Sequence, residues 1–543
     1  MTTIETRPEH GAMSLTGQQA GGGTLTGVAG WITTSDHKRI GRLFVGFGLV
    51  LLAASLVVGG LLGAERIAPK HLFLKANTVD QLFALFRVAV PYLGIAPLLL
   101  GLGVAVVPLQ IGSKAIAFGR AAALGFWCWL FGSGTVIASF IGNGGPGGGD
   151  PKMVELFLAG LGLTIIGLMV AATSVAVTVL TCRAPGMTLR RVPAFAWASL
   201  VGSTVLVLTL PVLLGDLVLL AVDHRSARTI GFGGNQDLLT WMGWALTQPA
   251  TLLLAIPVLG ITADVVATAT RKRLALRPAV LLGVGILAVA TLGSVTQKLQ
   301  VLHWSGVSTS DKINDLLPFA LFTLLPILGP VLVLAALGQA LATGKPRLAS
   351  PPAFLFGLVG LLFVTLGVAA HALTGIVDLQ LVGTTYEEGV LVLVAGGSLL
   401  AALGGVSHWG PKLWGRTLPS TAVLPLVGLG AVGVLLGGVP LLVAGFQGQP
   451  ALTAGNFDYK LAPEALNLLA TIGQGLLFVT VIGFVLLAIK GFTKGATVGD
   501  DPWDGQTLEW ATASPAPADN FAEVLRVASA EPLLDLKPAG SDA

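Results

Sequence analysis

Residues Trp241–Ile261 read WMGWALTQPATLLLAIPVLGI. The stretch carries no charge and has one polar break, Gln248-Pro249, near its start. A run of about 20 apolar residues is long enough to cross a bilayer as a helix. A proline inside such a helix loosens the backbone ladder, and it stands where the helix faces protein or a cofactor rather than lipid. The stretch therefore reads as an inner helix of a membrane bundle.

The rest of the chain agrees. Of 543 residues, 54% are hydrophobic and only 11% charged, and the mean hydropathy is +0.84. Soluble proteins carry roughly 25% charged residues, so this is an integral membrane protein. The 73 glycines suit close helix–helix packing in lipid. A net charge of +4 implies no nucleic-acid partner when the basic residues sit in short loops on one side. Cys128 and Cys182 offer neither a disulfide framework nor a metal motif. Residues 1–30 are polar and rich in Gly and Thr. They have no apolar core for a cleavable signal and read as a disordered cytoplasmic arm. The glycine run Gly144–Gly149 opens no strand–helix phosphate site and reads as a flexible outer turn.

Spans of crossing length fall at roughly 43–63, 82–107, 121–141, 155–180, 194–222, 239–262, 278–299, 316–342, 353–374, 389–406, 422–445 and 465–489. The expected fold is thus all-α, a polytopic bundle of about twelve membrane helices. Alternate loops are basic: Lys38, Arg39 and Arg42; Lys114 and Arg120; Arg183, Arg190 and Arg191; Arg271, Lys272, Arg273 and Arg277; Lys345 and Arg347; Lys412 and Arg416; Lys490 and Lys494. The intervening loops are mixed or acidic. By the positive-inside rule both termini are cytoplasmic. Residues 31–494 form the membrane domain. Residues 495–543 hold Pro, Ala, Asp and Glu and read as a tail lying in water or on other subunits.

Several motifs resemble the haem–copper oxidase (cytochrome c oxidase) subunit I family, of the actinobacterial type. The lead-in Trp31–Gly41, the loop Pro108–Gly112, Leu210–Leu213 with Asp223, and Trp409, Pro411-Lys412 and Gly415-Arg416 match in order. The tail Asp501–Trp510 is similar too. The resemblance covers nearly the whole chain after residue 30 and implies the bundle of that family. Trp241–Ile261 resembles its sixth helix, where the family reads Gly-His-Pro-Glu-Val-Tyr before Pro-x-x-Gly-Ile. Pro249 and Pro257–Ile261 are retained, while Gln248, Ala250 and Leu252 stand for the His, Glu and Tyr.

The resemblance implies haem and copper held by histidines, since low-spin haem takes two axial imidazoles and the binuclear centre takes one on iron and three on copper. Aligned to the family, the axial position of helix two holds Phe86, followed by Arg87 where a glycine is usual. The copper positions hold Gln248, Leu299 and Gln300. The paired haem positions of helix ten hold Gly389 and Leu391. The Asp and Asn of one proton route align with Ala115 and Val104, and the helix-eight Lys with Leu328–Pro330. The arginines that hold haem propionates align with Ala451-Leu452. No catalytic or metal-binding residue is expected, and neither haem nor copper. The sequence points to a non-catalytic structural or assembly paralogue, with oxidase-type subunits II and III or another respiratory membrane complex, and lipid, as partners. Its expected place is a bacterial plasma membrane. Two alternatives stand beside it: a divergent terminal oxidase, passing electrons from cytochrome c to oxygen, and a repurposed channel or transporter.

A few polar residues remain to be placed. A mid-membrane arginine must be paired or reach water, so Arg87 is expected in an ion pair with Asp216; otherwise it fills the vacated haem pocket or binds an anionic headgroup. His303 beside Trp304 reads as an interfacial histidine, His371 as a helix-end residue, and Lys298 as snorkelling outward. His37 belongs to an Asp-His-Lys structural cap. Glu387 and Glu388 are expected to face the outer water.

Overall fold

A computed structural model describes residues 24–67, 74–146, 149–226, 238–296, 301–306, 308–344, 346, 350–452, 463–521, 523 and 526–536. Side chains are described from 251 onward in the sixth span. Gln248 therefore lies outside the described side chains, and His10, His71, Lys298, Leu299 and Gln300 lie outside the described residues altogether, as does 1–23 of the expected N-terminal arm. The described residues up to Thr34 belong to a unit separate from the rest and hold one short helix, Thr24–Ile32.

Among the described residues, twelve helices are long and apolar enough to cross a membrane. In chain order they are α1 (His37–Ile67), α2 (Asn77–Gln110), α3 (Gly119–Ile141), α4 (Pro151–Thr181), α5 (Ala194–Arg225), α6 (Leu238–Thr270), α7 (Arg277–Thr296), α8 (Thr309–Thr343), α9 (Pro351–Thr374), α10 (Thr385–Trp414), α11 (Ser420–Phe446) and α12 (Pro463–Lys494). Each coincides with a span read from the sequence. Consecutive helices pack against each other, and α12 packs back onto α1. The apolar windows of α2, α6 and α10 are 100, 94 and 100% buried, whereas those of the other nine range from 33 to 56%. Every fourth helix is thus internal, and the outer ones turn an apolar face toward lipid.

Glycine sets several of the closest crossings. A Cβ on Gly41 of α1 would lie 2.5 Å from the Gly101 carbonyl oxygen of α2, and one on Gly360 of α9 would lie 2.6 Å from that of Gly397 in α10. Without hydrophobic drive between helices in lipid, such backbone contact supplies the packing. Two membrane helices contain a π-helical turn, at Ala89–Ile95 and Ala320–Leu324. The first holds Pro91, which has no N–H to give to the turn before it, and the Ala96 N–H reaches back five residues to the Pro91 carbonyl. The Gly144–Gly149 turn is pinned at its start rather than free: Gln81 accepts from the Gly145 N–H and donates to the Pro146 carbonyl, both at 2.8 Å.

The tail departs most from expectation. It does not lie apart in water; it folds back over the helix ends that carry Gln110 and Lys412. Trp503, Leu508, Glu509, Trp510, Asn520, Phe521 and Val527 are buried. Trp503 Nε1 donates to the His408 carbonyl at 2.7 Å, and Lys412 Nζ donates to the carbonyls of Asp500 and Thr512 at 2.7 and 2.6 Å. The His37 ring bridges the Val104 carbonyl and the Asn520 amide. Arg271 pairs with Asp504 and Arg277 with Glu531. Trp503, Leu508, Trp510, Phe521 and Val527 join the apolar core of the bundle, while the polar groups of the tail meet donors at the helix ends.

Candidate functional site

Phe86 of α2 and Glu388 of α10, the sequence neighbours of Arg87 and Gly389, line one cavity with α1, α11 and α12. Phe86 is buried, with its ring edge seated on α1: a Cβ on Gly59 would lie 2.7 Å from Phe86 Cε2. Gly389 faces α11, where its own Cβ would meet the Gly438 carbonyl oxygen and the Leu442 nitrogen, each at 2.8 Å. Leu391, two residues on, is buried on a different face of α10. Benzyl, isobutyl and hydrogen side chains carry no lone pair for a metal.

A polar cavity of about 330 Å³ lies beside Phe86, lined also by Gly59, Arg66, Glu388, Asn467 and Gln474. Only about 20 Å³ of it can hold the centre of a water molecule, which is room for one or two waters. An ion pair forms part of its wall. Arg66 of α1 donates to both carboxylate oxygens of Glu388 at 2.8 and 2.7 Å and to the Ala451 carbonyl at 2.6 Å. Asn467 Nδ2 donates to the Arg66 carbonyl, and Asn467 Oδ1 accepts from Gln449 Nε2, both at 3.1 Å.

Two expectations are corrected here. Glu388 does not face the outer water; it is 4% exposed in its ion pair with Arg66. Arg87 is paired, but with Glu387 of α10 at 3.6 Å and not with Asp216; its guanidinium also lies over the Phe83 ring. Arg87 follows Phe86 on an internal helix and looks toward the start of α10. Asp216 stands half-buried on the outer helix α5. Both glutamates occupy the first turn of α10, where the helix dipole favours negative charge. The sequence signal for these pairs is the tandem of acids just before the aligned ligand position, which a reading by loop composition alone assigns to water.

His303 Nδ1 pairs with Asp315 at 3.0 Å in a partly exposed position, and His371 lies in the last turn of α9. Neither lies among the residues that line the Arg66 cavity. Among the described residues, no group of three or more His, Cys, Asp or Glu is placed to hold a metal ion. A second, apolar cavity of about 420 Å³ lies between α2, α4, α5 and α6, lined by Leu99, Gly103, Ser203, Leu254 and others.

The family described as Cytochrome C and Quinol oxidase polypeptide I matches residues 39–476. The chain belongs to this family. It is 28% identical over 536 residues to cytochrome c oxidase subunit 1 of Bacillus subtilis (strain 168), covering 94% of this chain and 83% of that protein. It is 29% identical over 547 residues to a putative cytochrome c oxidase subunit 1-beta of Streptomyces avermitilis, covering 94 and 92%. Similarity extends to a cytochrome bo(3) ubiquinol oxidase subunit 1 of Buchnera aphidicola, 27% over 541 residues. The protein is a haem–copper oxidase subunit I-like membrane protein with many passes. Phe86 and the Arg66–Glu388 pair line one cavity, and Gly389 packs against α11.

Proposed function

We propose that this chain is a non-catalytic paralogue of oxidase subunit I that binds neither haem nor copper and serves a respiratory membrane complex as a structural or assembly component. The observation that carries the reading is how the space beside α2 and α10 is narrowed and bridged by side chains. Phe86 packs against Gly59, Gly389 touches α11 backbone to backbone, and a buried Arg66–Glu388 pair stands against Ala451, the position aligned with a propionate-holding arginine. A macrocycle in that space would need both the pair and the α10–α11 contact to part. The residues present therefore do not fit a haem there.

Retention of the twelve-helix frame and of the tail supports a role in which outer surfaces matter. Partners of oxidase type, such as subunits II and III, fit that role. The alternating basic loops support a bacterial plasma membrane with both termini on the cytoplasmic side.

The test is haem and copper content, with a reduced-minus-oxidised absorption spectrum, on the purified chain freed of co-purifying oxidase. Absence of both is expected. Stoichiometric haem overturns the proposal and returns the chain to the divergent-oxidase reading, with ligands other than Phe86, Gly389 and Leu391.

A further inference from the structure

Glu509 is fully buried. A short 3-10 turn, Leu508–Ala511, carries it beneath the inner ends of the internal helices. Gln110, the last residue of α2, and Asp264 of α6 are buried beside it. Gln110 Nε2 donates to Asp264 Oδ2 at 2.8 Å and to Glu509 Oε1 at 3.2 Å, and Trp409 Nε1 donates to the same Glu509 oxygen at 3.2 Å. Both Asp264 oxygens are also met by backbone N–H groups, of Ala194 and Phe195, at 3.0 Å.

Two buried atoms of this cluster have no partner: Glu509 Oε2 and Gln110 Oε1. They belong to the same two groups that already share one hydrogen bond. With Glu509 ionised both are acceptors, and neither can serve the other. With Glu509 protonated, the carboxylic acid and the primary carboxamide are complementary. N–H meets one oxygen and O–H the other, and the two orphans become one hydrogen bond. An unmet buried polar atom costs about 1–3 kcal/mol, so closing the second leg removes two such costs at once. The excess proton belongs on Glu509, because Asp264 already has a donor at each oxygen.

We propose that Glu509 is held as a neutral carboxylic acid paired through both atoms with Gln110, so that a bound proton latches the tail to the inner ends of α2, α6 and α10. The surrounding charges agree. Burial, with Asp264 behind it, pushes Glu509 up to about 7. The Thr507 side chain and the Glu509 backbone oppose this by favouring the charged form, but neither bonds Oε2. Lys412 of α10 feels the charge of Glu509. It spends its donors on the carbonyls of Asp500, Thr512 and Ala513 and lies over the Trp510 ring. Arg277 of α7 acts on Asp264 while pairing with Glu531. Losing the proton would turn a charged oxygen toward the Gln110 carbonyl oxygen, with Asp264 on the same amide, and loosen the latch.

The test uses the full chain in nanodiscs and the isosteric variant Glu509→Gln, which keeps a two-legged amide pair without a titrating group. The wild-type-minus-variant infrared spectrum at about pH 6 is expected to show the carbonyl stretch of one protonated carboxyl, shifted in heavy water and lost by about pH 8. Over the same range, hydrogen-exchange protection of the 501–521 amides, corrected for intrinsic rate, is expected to fall about tenfold or more in wild type and to stay level in Glu509→Gln. An identical carboxyl signal in both proteins overturns the protonated acid. Protection that stays level in wild type overturns the latch, and that reading needs no variant. Neither readout depends on haem content.

Discussion

Arg66 Nη2 of α1 lies 2.7 Å from Glu388 Oε1 of α10, and both side chains are less than a tenth exposed. Burying two charges is costly, and the attraction between them repays this only with full hydrogen bonding; Arg66 achieves it through both carboxylate oxygens and the Ala451 carbonyl. Glu388→Ala leaves a buried guanidinium unpaired and is expected to cost about 3–5 kcal/mol, read as a drop in thermal midpoint in detergent. Replacing both partners, Arg66→Met with Glu388→Leu, is expected to recover most of that loss. Equal midpoints for Glu388→Ala and wild type would show that the pair is not closed in the folded protein.

A second prediction concerns restoring ligands. Phe86→His with Gly389→His places imidazoles back at two aligned positions. At Gly389 even a Cβ would come within 2.8 Å of the Gly438 oxygen and the Leu442 nitrogen, so α10 and α11 must separate. Overpacking of this kind costs about 1–3 kcal/mol. The double variant is expected to be less stable than wild type and to take up no haem when expressed with excess haem. Stoichiometric uptake with unchanged stability would mean that the α10–α11 contact yields readily.

The helices, their number and their order were legible in the sequence because hydropathy over about 20 residues is a strong signal. Of the internal helices only α6 was legible, from its Gln248-Pro249 break; the residues buried in α2 and α10, Gln110, Glu388 and Lys412, read in the sequence as loop or interface residues. The partner of Arg87 was not legible. Pairing across a bundle depends on how each helix is rotated, and the π turn at Ala89–Ile95 breaks the 3.6-residue count that would carry a face from one end of α2 to the other. The tail was misread for a different reason. A few large apolar residues, Trp503, Leu508, Trp510, Phe521 and Val527, enter the core, and carbonyls and carboxylates are matched to buried donors such as Lys412 and Trp409; average apolar content registers neither.

Arg87 offers a milder contrast with Arg66. Its contact with Glu387 is longer, 3.6 Å, and its side chain is 11% exposed against 20% for the acid. Pairs that reach water are worth about 1 kcal/mol or less. Arg87→Met is expected to lower the thermal midpoint far less than Glu388→Ala and to leave solute flux through proteoliposomes at the level of empty vesicles, as in wild type. Flux in wild type that disappears in Arg87→Met would favour the channel or transporter reading.

The stability of the folded chain should also depend on pH through Glu509. Its folded value is raised from 4.5 to about 7, so the folded state holds the proton more tightly than the unfolded chain. That contribution is fully present below about 4.5 and is lost as the pH rises through about 7. Each tenfold gain in proton affinity is worth about 1.4 kcal/mol, which sets an upper bound of about 3 kcal/mol for the loss. Other groups titrate as well, so the informative quantity is the difference between wild type and Glu509→Gln. The variant is expected to match wild type at about pH 5 and to be the more stable of the two at about pH 8. A constant difference across that range would mean that Glu509 ionises as readily in the folded chain as in the unfolded one.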